Sequence, residues 1–253
     1  MLKIPKAFVH MLFIAYGILY LIHFQRGGIK KVTKNRAGLV LQILKKTLDL
    51  PIWTKSKLDP FETLVVTIIS QNTADRNTTR AFENLTKCFE ITPNTLAYAK
   101  LSEIEEAIRA GGLYKSKAKT IQHVSRIILE KYHGTIRSIL SLPLEEARTA
   151  LMQFSGVGPK TADVVLLFSA NQPTIPVDTH VNRVAKRLEF TPERSNYEDV
   201  RGSLQSLYEP NDYLSVHLLY IAHGRKTCKA PRPLCNQCQV NAYCPSNGKW
   251  NKP

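Results

Sequence analysis

The sequence predicts an all-α fold, on three observations. Apolar residues recur at three- and four-residue spacing from about residue 36 onward. No stretch shows two-residue alternation bounded by hairpin turns, and the connections are short and marked by Gly or Pro. In chain order, Leu39, Val40, Ile43, Leu44 and Leu48 form a first helical stripe. Asp59-Pro60-Phe61-Glu62 then reads as a helix start, with an N-cap acceptor, proline at the first helical position and glutamate at the third. Leu64, Val65, Ile68 and Ile69 continue that helix. Further stripes follow at Leu101, Ile104 and Ile108, and at Ile121, Val124, Ile127 and Ile128. Leu144 to Phe154 and Lys160 to Ser169 read as two helices around a glycine turn, and Leu214 to Ile221 as part of the last one. The single cysteine Cys88 lies in an apolar stretch and is expected to be a packed core thiol.

Composition narrows the partners. Lys and Arg number 35 against 20 Asp and Glu, a formal charge of +15. The first 48 residues hold nine basic residues and no acidic one, leaving +6 on residues 49–253. That sign favours a polyanion or an anionic surface, although +6 is also ordinary for solubility. Residues 7–24 form an apolar run of 18, short for a bilayer span and flanked by lysines and arginines that would keep the rest of the chain in the cytoplasm. Three readings stay open for it: a membrane anchor, a helix packed on the domain, or an over-extended start. The division expected is residues 1–35 as an apolar-then-basic segment, 36–245 as the working domain, and 246–253 as a tail. Membrane association enters only if the apolar run inserts.

The chemistry concentrates in two places. In GVGPKTADVV, Ser155-Gly156-Val157-Gly158-Pro159 joins two helices, so Gly156 and Gly158 allow close approach of an external group to bare backbone. Pro159 suits the first helical turn, whose free N–H groups suit phosphate. A nucleotide P-loop is excluded, because it needs glycine before the lysine and a strand before the loop. Asp178, in PTIPVDTH, stands where it caps a new helix running through Arg183 and Arg187, and a rigid loop could also aim its carboxylate at Lys160. A lysine and an aspartate sharing a pocket make a nucleophile and an electrostatic partner. The helix N-terminus disfavours the ammonium and so raises the free-amine fraction.

The second place is the C-terminal loop, residues 228–244. Cys228, Cys235, Cys238 and Cys244 follow the spacing C-x6-C-x2-C-x5-C. Such clustering argues for a metal site in a reducing, intracellular compartment rather than for disulfides. One compact loop of four suits an iron–sulfur cluster better than zinc, which the chemistry leaves open. Lys229 and Arg232 make the loop basic and suited to phosphate.

Together these features resemble the endonuclease III family of DNA repair glycosylases, in the helix-hairpin-helix superfamily, over roughly residues 36–245. GVGPKTADVV looks like the family hairpin, with Lys160 at the catalytic lysine, and PTIPVDTH like the segment carrying the catalytic aspartate, here Asp178. AHGRKTC leads into cysteines spaced as in the family's 4Fe–4S cluster. GGLYKSKA looks like the loop whose Leu113 wedges into the DNA stack, with Lys115, Lys117 and Lys119 beside it as phosphate contacts. ISQNTADRN resembles the segment that fills the gap left by a flipped nucleotide, with Gln71 and Asn72 both candidates. Ser155 departs from the usual proline.

The resemblance implies two helical lobes with duplex DNA across their cleft, and DNA contacts from Gln71, Asn72, Leu113, Gly156, Gly158, His180 and Lys229. It implies a cytoplasmic monomer that excises damaged, oxidised pyrimidines and nicks the strand 3′ to the abasic site by β-elimination. The alternatives are a monofunctional adenine or thymine mismatch glycosylase, which differs at Lys160, and a non-catalytic DNA-binding module, which has no use for Asp178.

Overall fold

The computed structural model describes residues 33–49 and 58–249; the apolar run at 7–24 lies outside them. Among the described residues every regular element is helical. In chain order these are α1 Lys34–Thr47, α2 Pro60–Ser70, α3 Asp75–Cys88, α4 Pro93–Tyr98, α5 Leu101–Ala107, α6 Tyr114–Lys131, α7 Arg137–Leu140, α8 Leu144–Met152, α9 Pro159–Ala170, α10 Thr179–Arg187, α11 Tyr197–Leu207 and α12 Tyr213–Lys226. Short 3-10 turns at Arg109–Gly111, Pro210–Asp212, Cys235–Gln237 and Asn241–Tyr243 complete them. None of the described helices is long and apolar enough to cross a membrane.

The expected start at Asp59 forms as a capping box. Its side chain accepts from the Phe61 N–H at 2.9 Å, while Glu62 accepts from the Asp59 N–H at 2.8 Å. Such a cap contributes about 1 kcal/mol. The stripe it launches, Leu64, Val65, Ile68 and Ile69, is wholly buried.

The apolar side chains form two lobes. One is contiguous in sequence, running from α2 to α9, with Leu64, Ile68, Leu85, Ile104, Ile121, Ile128 and Leu151 in its core. The 18-residue α6 lies against α2, α4 and α5 there. The other lobe joins α1 to α10, α11 and α12 through Val40, Leu44, Val184, Leu204 and Leu219. Arg36 of α1 donates to the Tyr243 carbonyl at 3.0 Å and lies 4.7 Å over the Phe190 ring. The first residues beyond 245 pack rather than trail: Ser246 is buried and Lys249 pairs with Glu189 at 3.1 Å.

Apolar spacing leaves five helices unmarked: α3, α4, α7 and α11, and α10, which the sequence marks by its Asp178 cap instead. The buried face of α3 is Thr78, Ala81 and Leu85, and that of α11 is Val200 and Leu204, too few large apolar residues for a stripe. α4 is only six residues long. Cys88 corrects an expectation. It is exposed at the end of α3, because the face bearing Ala81 and Leu85 is continued by Phe89, which packs against the core in its place.

Candidate active site

The glycine turn between α8 and α9 is held from two sides. Gly156 has φ +83, and a Cβ there would come within 2.8 Å of the Thr120 side chain on α6, so the fold itself demands glycine. Gly158 differs: a Cβ would meet nothing within 4 Å. Its bareness serves no internal packing and leaves the turn open to an outside group. Gly158 is the N-cap of α9 with no side-chain cap, so the first N–H groups face outward without one. Gln71, at the end of α2, donates through Nε2 to the Gly156 carbonyl at 3.0 Å and to Thr161 Oγ1 at 3.2 Å.

Lys160 follows Pro159 in the first turn of α9 and is half-buried. Burial pulls its amine below the ordinary lysine pKa, Asp178 and Asp75 oppose that, and the Arg225 guanidinium reinforces it. Loss of hydration is thus the leading cause, where the sequence pointed to the helix terminus. Asp178 takes its capping place, and its charge reaches Lys160. The Asp178 Oδ1 accepts from the Val181 N–H at 2.7 Å as the N-cap of α10. Asp75 and Arg225, paired at 2.5 and 2.9 Å, complete the charges around the amine. Both lie inside quoted motifs, ISQNTADRN and AHGRKTC, but only the fold brings them to Lys160. His180, two residues past Asp178, is half-buried and takes an Arg183 N–H on Nδ1 at 3.1 Å. Burial, followed by other contributions, keeps its pKa below the ordinary histidine value.

The other candidates divide. Leu113 is 65% exposed, and its φ of 47 and ψ of 29 are left-handed, a conformation costing roughly 1–2 kcal/mol for a side-chain-bearing residue. It stands at the N-cap of α6 outside the core. Asn72 is exposed with φ 52, whereas Gln71 turns inward to the hairpin. Lys115, Lys119 and Lys229 are exposed. Lys117 corrects an expectation: it is 4% exposed and donates to Ile69 O at 2.7 Å, Thr73 Oγ1 at 2.7 Å and Gly111 O at 2.8 Å. It is no phosphate contact. Its ammonium ties the Gln71 segment to the Leu113 loop.

Cys228, Cys235, Cys238 and Cys244 line one pocket together with Arg187 and His223. Among the described residues no three His, Cys, Asp or Glu side chains converge on a single-ion site. Burial pushes the Cys238 thiol up and the Cys244 thiol up to about 11. Arg183 and Arg187 hold the loop to α10 through the carbonyls of Cys228, Lys229 and Ala230.

Residues 65–210 match the HhH-GPD superfamily of base excision DNA repair proteins. Endonuclease III of Sulfolobus acidocaldarius is 37% identical over 185 residues, 73% of this chain and 81% of that one. The Escherichia coli endonuclease III is 35% identical over 73% of this chain and 83% of its own. The chain belongs to the endonuclease III family. Among solved structures, a trapped endonuclease III–DNA covalent intermediate superposes with a TM-score of 0.76 at 31% identity, covering 87% of this chain and 99% of that one.

Proposed function

We propose that this endonuclease III homologue is a bifunctional base-excision enzyme acting on duplex DNA in the cytoplasm as a monomer, with damaged pyrimidines as substrates. Family membership supports the glycosylase and lyase activities; the observation that carries the residue assignment is a half-buried Lys160 amine in the field of the Asp178 carboxylate beside an open helix N-terminus. Chemistry on a paired base requires flipping its nucleotide out, and Leu113 with Gln71 or Asn72 takes the place it leaves. The free amine of Lys160 attacks C1′ of the deoxyribose, the glycosidic bond breaks and the base departs with its electron pair. Asp178 stabilises the positive charge that develops on the sugar and assists the proton transfers. Cleavage of the C1′–O4′ bond, with a proton to O4′, opens the sugar ring and gives the Schiff base between Lys160 and C1′; this acidifies C2′, and loss of a C2′ proton expels the 3′ phosphate by β-elimination. A mismatch glycosylase lacking the lyase step is disfavoured by Lys160 itself.

Incubation with a single-lesion duplex in borohydride tests this reading. The wild type is expected to release the base, nick the strand and leave a covalent adduct, and Lys160→Gln to lose adduct and nicking while still binding the lesion. A persistent adduct in Lys160→Gln would place the amine elsewhere.

The four cysteines are the proposed ligands of a 4Fe–4S cluster. A pocket lined by four thiols suits a cationic iron–sulfur group whose charge favours the thiolates. The group would supply folding energy and hold the basic loop against α10. Anaerobically purified protein should carry about four irons per chain; stoichiometric zinc in a colourless protein would reverse the assignment.

A further inference from the structure

One peptide bond just upstream of Asp178 is gripped at both of its polar atoms. The Pro176 carbonyl accepts from His217 Nδ1 of α12 at 2.8 Å, and the N–H of Val177, on the other side of the same peptide plane, donates to Tyr197 Oη of α11 at 3.3 Å. A carbonyl can only accept, so His217 carries its proton on Nδ1. Both grips lead back to α9, which carries Lys160. Tyr197 donates its own hydroxyl to Asp163 Oδ2 at 2.7 Å, and Asp163 lies three residues beyond Lys160. The His217 ring packs edge-to-face on Phe168 of α9, with centroids 5.9 Å apart.

Asp163 is fully buried, and its Oδ1 accepts from Arg148 Nε at 3.0 Å and Thr174 Oγ1 at 2.9 Å. Burying such a network is a poor way to gain stability, since well-packed apolar side chains of similar volume do as well or better. What it provides is a unique geometry: the backbone entering Asp178 has no freedom to rotate its peptide without breaking a hydrogen bond at one end.

We propose that Tyr197 and His217 are positioning residues, the two arms of a clamp on the Pro176–Val177 peptide that sets where the Asp178 carboxylate stands relative to the Lys160 amine. The proposal rests on the reading of Lys160 and Asp178 as the reacting pair. Each arm acts through the backbone it holds. A shift on the order of 1 Å in a reacting group costs about a hundred-fold in rate, so the clamp acts on the chemical step and leaves DNA affinity alone.

The test is single-turnover base release with enzyme in excess, normalised to folded protein, alongside binding of a duplex carrying an uncleavable abasic analogue. Tyr197→Phe removes one oxygen and keeps the ring; His217→Leu removes the donor; His217→Asn keeps an amide nitrogen near the place of Nδ1. The expected result is a fall of about ten- to a hundred-fold in rate for Tyr197→Phe and His217→Leu, unchanged affinity, and recovery of most of the rate in His217→Asn. Wild-type rates in Tyr197→Phe with only a lowered melting temperature would overturn the clamp, and so would equal losses in His217→Asn and His217→Leu. If His217→Leu does not fold, Tyr197→Phe alone carries the test. Absence of a borohydride adduct in the wild type would instead overturn the underlying reading.

Discussion

At the Leu113 loop, Lys117 aims its ammonium at three oxygens, those of Ile69, Thr73 and Gly111, each within 2.8 Å. At the hairpin, Lys160 is half-buried, yet among the described residues it donates no hydrogen bond to the protein and lies among the charges of Asp178, Asp75 and Arg225. Burial lowers the pKa of both amines. The first is satisfied where it stands, three donors to three acceptors, and its removal would take this donor from the Ile69 carbonyl. The second is half-buried without a protein acceptor among the described residues, which costs the fold some stability and favours the neutral amine. A buried lysine becomes a candidate nucleophile by what it lacks.

The largest expected effect separates charge from shape at the hairpin. Asp178→Asn keeps the cap, because asparagine caps as well as aspartate, and should lower single-turnover excision by about 10²–10³-fold with little change in melting temperature. A wild-type rate would reduce Asp178 to its capping role.

Next comes Lys117→Met, a change of similar volume that leaves the Ile69 and Gly111 carbonyls without this donor. Denaturant unfolding should show a loss of roughly 1–3 kcal/mol for the Ile69 carbonyl, since the Gly111 carbonyl keeps the Thr73 hydroxyl as a donor. An unchanged midpoint would erase the contrast between the two lysines.

Lys160→Met should move the other way, raising stability by about 1 kcal/mol at neutral pH while ending the chemistry. The folded-state pKa of Lys160 lies below the unfolded value, so the unfolded chain holds more protons between the two. Wild-type stability from this group therefore rises as pH climbs from the folded pKa to the unfolded one. The advantage of methionine is greatest below that window and fades above it. Unfolding curves across neutral and alkaline pH would show this, and a destabilised Lys160→Met would contradict it.

The same contrast explains what the sequence made legible. Lys160, Asp178 and the four cysteines lie in compact motifs whose spacing carries their chemistry, and Asp59 announced its helix through local capping rules. Lys117 did not announce itself. A lysine among lysines reads as surface, and its acceptors come from a helix end and a loop up to 48 positions away. Asp163, Tyr197 and His217 were invisible for a related reason: each is an ordinary helix residue until folding brings its partner from 34 to 41 positions off. Asp75 and Arg225 meet across 150 positions. α3 was missed because threonine and alanine serve as its core residues. Leu113 was legible as a wedge only by resemblance, while its strained, exposed backbone is a property of the fold.

The bond from Arg36 to the Tyr243 carbonyl spans 207 positions, and that from the Tyr208 hydroxyl to the Ala37 carbonyl spans 171. The lobe from α2 to α9 is contiguous and can close as soon as it clears the ribosome. α1 emerges first and finishes last. At roughly 5–20 residues per second, its apolar face waits on the order of ten to forty seconds for α12 and the cysteine loop to be made. For that interval Val40, Leu41 and Leu44 stand without the partners that bury them in the finished protein. The first of the described helices is therefore where a cellular holding factor has most to cover.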